Sequence, residues 1–186
     1  KPSEVNENDL FINLGVAYQE KGQYDEAEKY YQKSLALSKK LGNQYQLARV
    51  FLNLSNTKQK AGVYASSQQF LDSSRMVCEK NGFLIGLLFC DINQGELLIL
   101  QGEYAMGLTY LKKADLRMTE YEIPEVKAEL MRLLSLAYEH TGDLSRALNY
   151  HKNYIVLRDS VSGVETNRQI LELQSRYESE RSAREM

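Results

Sequence analysis

The sequence predicts an all-α chain built from antiparallel helix pairs repeated along its length, and three observations carry that prediction. Gly22, Gly62, Gly102 and Gly142 recur every 40 residues. Ala27, Ser67, Gly107 and Ala147 repeat a second register at the same interval of 40. Between these marks run amphipathic stretches of helical period, and no segment alternates as a strand would. A fixed period of this size belongs to arrays in which each unit buries its apolar face against its neighbours.

Each glycine of the first register sits in a similar setting, as in Glu20-Lys21-Gly22-Gln23-Tyr24 and Leu100-Gln101-Gly102-Glu103-Tyr104. A left-handed residue just past a helix end suits glycine, which has no Cβ to clash, and the aromatic or leucine that follows anchors the next helix. In the first unit Phe11, Leu14, Ala17 and Tyr18 form an apolar face before the glycine, and Tyr24, Ala27, Tyr31, Leu35 and Leu37 form one after it. In the last unit Leu144, Ala147, Leu148, Tyr154, Ile155 and Leu157 mark the packed side. The second register places small residues where two helix backbones cross. Helix pairs are therefore expected at 8–21 with 24–41, 44–61 with 64–81, 84–101 with 104–120, and 124–141 with 144–161. Pro124 fits the first turn of the seventh helix, where its missing N–H costs nothing.

The stretch Asn13-Leu14-Gly15-Val16-Ala17-Tyr18-Gln19-Glu20-Lys21-Gly22-Gln23-Tyr24-Asp25-Glu26-Ala27 resembles a tetratricopeptide repeat. The resemblance implies a right-handed α-α superhelix of four helix pairs, with an array over residues 1–161 in units near 8–41, 44–81, 84–120 and 124–161, plus a C-terminal helix. Later units depart from the pattern. Ser55 replaces the first glycine, Lys58 and Leu98 replace the tyrosine, and Asp91 stands at an otherwise aromatic position. The period exceeds the family's usual one and the closing proline is missing, both of which imply helices about a turn longer.

Composition excludes several classes of function. The 186 residues are 43% hydrophobic and 26% charged, with two prolines, no tryptophan and a formal net charge of −2. That balance offers no basic stripe for a phosphate backbone, so no nucleic-acid partner is expected. No segment reaches the roughly 18 consecutive apolar residues of a membrane span. The thirteen tyrosines suit half-buried helix seams, with the ring packed and the hydroxyl in water. Cys78 and Cys90 are too few and too loosely spaced for a disulfide framework or a zinc site, and read as small apolar residues. No cofactor and no metal are expected. His140 and His151 carry no catalytic motif, no phosphate loop follows a strand, and the chain is read as no enzyme. The run Phe83 to Phe89 reads as the buried centre of the array rather than a lipid pocket, with Gly86, Gly95 and Gly107 marking close helix packing.

From Val164 to Met186 the pattern changes. Ile170, Leu173 and Tyr177 make one short stripe, and Glu172, Arg176, Glu180 and Arg184 form a ladder of alternating charge. The bland reading is a capping helix at 164–186 that gives the array a polar last face. The other reading rests on resemblance: Tyr154 to Ser160 followed by Asn167 to Glu178 is similar to the junction where tetratricopeptide arrays of bacterial sensor histidine kinases and signalling regulators pass into a linker helix. That implies a sensory or regulatory module of signal transduction, on either side of a membrane, with the chain continuing past Met186 into a span or output domain. A homodimer through Ile170, Leu173 and Tyr177 is a further expectation.

In the family the first helix of each pair lines a concave groove that takes a protein or peptide. Carried over, the groove candidates are Asn13, Asn53 and Asn93, spaced by 40, with Arg49, Asn56, Phe89, Glu96, Arg132 and Glu139. An asparagine amide both donates to and accepts from an extended peptide backbone. The competing reading has these amides bonding neighbouring turns of the array. The family's carboxylate clamp is not expected, since its places hold Ile12 and Val16. The two functional readings are an interaction module of a bacterial signalling protein and a free-standing scaffold or peptide receptor.

Overall fold

The structure is a computed structural model that describes residues 4–163, and every described element is a helix or a short turn. The elements are α1 (Glu4–Glu20), α2 (Tyr24–Leu41), α3 (Gln44–Lys60), α4 (Tyr64–Asn81), α5 (Leu84–Leu100), α6 (Tyr104–Met118), α7 (Pro124–His140) and α8, helical over 144–163. Helix α1 starts four residues before the expected 8, because the polar stretch ahead of the apolar pattern also winds into it. Residues 164–186, with Ile170, Leu173 and Tyr177, lie outside the described residues. The helices fall into two compact units, one ending at Met118 and the other beginning at Thr119.

The turns show why the period is regular. Gly22, Gly62, Gly102 and Gly142 all have positive φ, between 73° and 87°. At each, the N–H of the next residue reaches back to the helix it leaves, as in Gln23 to the Tyr18 carbonyl at 2.9 Å and Glu103 to the Leu98 carbonyl at 2.8 Å. This closes the orphan carbonyls of the outgoing helix, and the same residue's carbonyl opens the incoming one. Gly42 and Gly82, at φ 65° and 69°, close the second helices of the first two pairs in the same manner. The glycine beat is thus 20 residues, twice as fast as the sequence register suggests. At 122 the beat is broken by Glu122, and there α6 stops at Met118 with a five-residue link before Pro124.

Within each pair the helices cross where side chains are smallest. Ala27 and Ser67 have no exposed surface and Gly107 is buried. A Cβ on Gly95 would sit 2.6 Å from Leu111 Cδ2 and 3.2 Å from the Gly107 carbonyl oxygen. Where the second pair has Ser55 in place of a glycine, its hydroxyl meets that of Ser67 at 3.0 Å, so the two polar atoms satisfy each other. In the second unit Ser135 donates to the Ala147 carbonyl at 3.0 Å.

The expected packed face of α1 is corrected. Ala17 is exposed and Phe11, Leu14 and Tyr18 are only half-buried, while Asn8, Ile12 and Gly15 turn into the core. Apolar periodicity missed this because two of the three inward residues are not apolar. Asn8 is held at its carbonyl by Ser34 at 2.5 Å and at its amide by Ser38 at 2.9 Å, so a buried amide lies between α1 and α2 with both ends satisfied. Ile12 joins Ala27, Tyr31, Leu35, Val50 and Leu54 in the core. In the second unit Leu144 and Leu148 are also corrected: both are over half exposed, and the α8 face toward α7 is Ala147 with Tyr150, whose ring stacks on Tyr138 at 5.6 Å.

Two departures from the repeat pattern are exchanges of one packing for another. Lys58, in a tyrosine's place, crosses to Glu28 of α2 at 2.7 Å. Asp91, in an aromatic place, is 1% exposed and held by Arg75 of α4 at 2.9 Å and Arg117 of α6 at 3.1 Å. One carboxylate thereby ties three successive helices, each oxygen taking its own charge-assisted bond.

Removing Asp91 as D91A should strand two guanidiniums that retain part of their hydration, at a cost of about 2–3 kcal/mol, below the full value for a buried pair. Gly95→Val should cost about 1–3 kcal/mol by overpacking against Leu111. Gly22→Ala, with open space around its Cβ, should cost only about 1 kcal/mol of left-handed strain. Urea unfolding followed by circular dichroism orders the three.

Candidate peptide-binding pocket

Helices α1, α3 and α5 are the first members of their pairs, and α3 packs against both α1 and α5. Between α3 and α5 the first unit opens a pocket of about 340 Å³. Its α3 wall carries Tyr45, Arg49, Leu52, Asn53 and Asn56 at helical spacing. Its other wall is the start of α5, with Phe83, Ile85, Phe89 and Asn93, and the C-terminal turn of α4 supplies Cys78 to the floor. Part of the apolar run thus lines an opening rather than the centre of the array: Leu88 is fully buried, but Leu84 is 56% exposed.

The pocket exists because Gly86 lets α5 come close to α4. A Cβ at Gly86 would lie 2.5 Å from the Cys78 sulfur. With α5 pressed onto α4, the rings at 83 and 89 lean toward α3, and Tyr45 meets Phe83 edge-on at 5.9 Å between centroids. The apolar wall would hold a bulky hydrocarbon side chain, and polar groups stand at the rim.

Of the nine groove candidates the structure brings five together here: Arg49, Asn53, Asn56, Phe89 and Asn93. Their amides are not equivalent. Asn93 is buried and donates to the Phe89 carbonyl at 2.8 Å, one turn back on its own helix. Asn56 accepts a long bond from Gln19 at 3.4 Å. The Asn53 side chain is half-buried and has no partner among the described residues, although its backbone carbonyl accepts from Thr57. Arg49 stands 3.9 Å from Asp9 of α1, an open ion pair with both side chains over two-fifths exposed. Asn13 is exposed on α1 and Glu96 half-buried on α5, and neither lines the pocket. Arg132 and Glu139 belong to the second unit, where Arg132 is tied to Glu129 of its own helix at 2.6 Å.

Sequence reading missed Tyr45, Phe83 and Cys78. The first two follow from the same face of α3 and the entry to α5. Cys78 had no signal, because its partner lies across a turn. Its thiol accepts a hydrogen bond from Cys90, which lowers its pKa to about 7 against the opposing pull of burial, with help from Ser74 and the Arg75 charge. Cys90 is pushed up by that bond and by its own burial, so it is the member that keeps its proton. Among the described residues no group of three or more His, Cys, Asp or Glu is placed to hold a metal, and no helix is long and apolar enough to cross a membrane.

The tetratricopeptide repeat family matches residues 7–80. No curated protein matches the sequence. Solved structures that share the fold include two helical-repeat proteins. One is BtubC from P. vanneervenii, at TM-score 0.70 and 15% identity, covering 88% of this chain and 67% of that one. The other is a signal transduction ATPase with numerous domains and a tetratricopeptide repeat sensor, from Pyrococcus horikoshii, at TM-score 0.71 and 10% identity. The match covers 82% of this chain but only 23% of that protein's length.

A small thiol reagent should modify Cys78 faster than Cys90. The Cys78 rate should fall about tenfold from pH 8 to pH 6 as the thiolate is protonated. The groups setting this profile are Cys90 on α5 and Ser74, Arg75 and Glu79 on its own helix, and Arg49 lines the same pocket from α3. Peptide mapping by mass spectrometry reads both sites.

Proposed function

From a chain that is a tetratricopeptide repeat protein over residues 7–80 and all-α throughout its described length, we propose that it binds an extended peptide segment of another protein and catalyses no reaction. The observation that carries this reading is the pocket between α3 and α5, with an apolar wall of aromatic rings, an unpaired Asn53 amide and an open Arg49 ion pair. A bulky apolar side chain of the segment enters between Phe83, Ile85 and Phe89. Asn53 and Asn56 meet its backbone at the rim, where unpaired main-chain groups would otherwise lose hydrogen bonds to water. Arg49 favours an acidic neighbour next to the anchor, once Asp9 yields it.

At a finer level the chain is the sensory or regulatory part of a bacterial signal-transduction protein. The resemblance of residues 154–178 to a sensor junction supports that reading. So does the tetratricopeptide repeat sensor of the Pyrococcus horikoshii signal transduction ATPase, a likeness of fold alone. The other reading is a free-standing scaffold or peptide receptor. The gene on either side of residues 1–186 separates them: an output domain or membrane span in the same frame supports the first, and a stop codon after Met186 with a start codon before Lys1 removes it.

Selection from a displayed random peptide library should enrich sequences with a large apolar residue beside an acidic one. Against a selected peptide, Asn53→Ala and Phe89→Ala should each raise Kd about tenfold, as for central contacts of an interface. R132A, outside the pocket, should leave Kd unchanged in the same calorimetric titration. Equal binding by all variants would place the peptide elsewhere and sink the assignment.

A further inference from the structure

Cys78 and Cys90 are separated by a helix end and a turn in sequence, yet both lie in the seam between α4 and α5. Both are free and have no exposed surface. Ser74 and Cys78 are one turn apart on α4, as Gly86 and Cys90 are on α5, and the two antiparallel helices set these pairs face to face. The Cys90 sulfur lies 3.6 Å from the Ser74 hydroxyl, and the Cys78 sulfur fills the space that Gly86 leaves open. The thiols therefore sit diagonally across one helix seam. Cys78 alone of the two reaches the pocket floor.

We propose that this pair is an oxidation site, in which a hydroperoxide entering through the pocket converts Cys78 and Cys90 to a disulfide that staples α4 to α5. The Cys78 thiolate attacks the terminal, hydroxyl-bearing peroxide oxygen and the O–O bond breaks, leaving a sulfenic acid on Cys78 and an alkoxide that takes up the proton Cys78 released to solvent and departs as an alcohol, or as water from hydrogen peroxide. The Cys90 sulfur then attacks the sulfenic sulfur. The S–S bond forms as the S–O bond breaks, and the hydroxyl leaves with the Cys90 proton as water. Two thiols and one peroxide thus become one disulfide, one alcohol and one water. The roles are fixed by position: the cysteine at the floor meets the oxidant, and the one behind it resolves the product. Cys78 has no exposed surface, so the reaction is slow compared with that of an open thiol.

The site is independent of the peptide reading, and its test uses no peptide. The folded chain is exposed to hydrogen peroxide and digested without reduction, with conversion of Met76 to its sulfoxide as an internal measure of dose, since Met76 is exposed on the same α4. The expected result is an intramolecular Cys78–Cys90 crosslink that dithiothreitol reverses. In C90S, dimedone should trap a sulfenic acid at Cys78; in C78S, no adduct should form at Cys90. Full oxidation of Met76 with both cysteines still reduced would overturn the proposal. So would crosslinks found only between chains, or dimedone labelling of Cys90 in C78S. The wild-type digest decides the matter even where a serine variant fails to fold.

Discussion

Two helix backbones can approach closely only where no side chain stands between them, and the rest of this structure depends on meeting that condition once per pair. The crossings are Gly15 with Ala27, Ser55 with Ser67, Gly95 with Gly107, and Ser135 with Ala147, each set 40 residues after the last. Two chemistries meet the same condition. Glycine removes the side chain, so that the Tyr31 ring occupies the place a Gly15 Cβ would take. Serine keeps a side chain but hides its hydroxyl in a bond across the crossing, at 3.0 Å in both serine pairs. Hydrophobic burial then follows from closeness, because the large residues one turn away reach the opposite helix with little void between.

The pocket is a product of the same condition applied at one more place. Between α4 and α5, at the junction of two pairs, Gly86 and Cys78 allow a contact that most junctions would not tolerate. Pulling α5 toward α4 draws it off α3, and the opening is lined by whatever α3 and α5 carry on that side. Function at this site therefore begins with a residue whose contribution is the side chain it lacks.

Much of this is legible in the sequence. The turns and the helix pairs can be read because left-handed glycine and close crossing leave few residue choices, and each recurs at a fixed interval. The inward face of α1 cannot, because Asn8 and Gly15 do there what apolar residues do elsewhere, one by bonding to serines and the other by making room. Lys58 and Asp91 look like losses of pattern in the sequence, and become intelligible only when Glu28, Arg75 and Arg117 are seen across from them. Of the groove candidates, those on α3 and on the facing side of α5 converge. Asn13 on α1 and Glu96 on α5 share the register of the converging candidates but not their surroundings, since a repeat position specifies a direction and not a neighbour, while Arg132 and Glu139 on α7 stand outside that register. The cysteines look unrelated in sequence because their separation is spent mostly on a reversal of direction.

The beat of 20 residues also constrains how such a chain can change in length. Loss or gain of one whole helix pair returns every later residue to the same face, the same crossing and the same turn. Loss of a single helix would reverse the chain direction of all that follows, and loss of a few residues would rotate the remainder out of phase. Copy number in relatives of this protein should therefore vary in steps of 40, with gaps of other sizes gathered where the beat already fails. Glu122, standing where a glycine would keep time, marks one such place. The link between Met118 and Pro124 is where an insertion would disturb neither a crossing nor a left-handed turn.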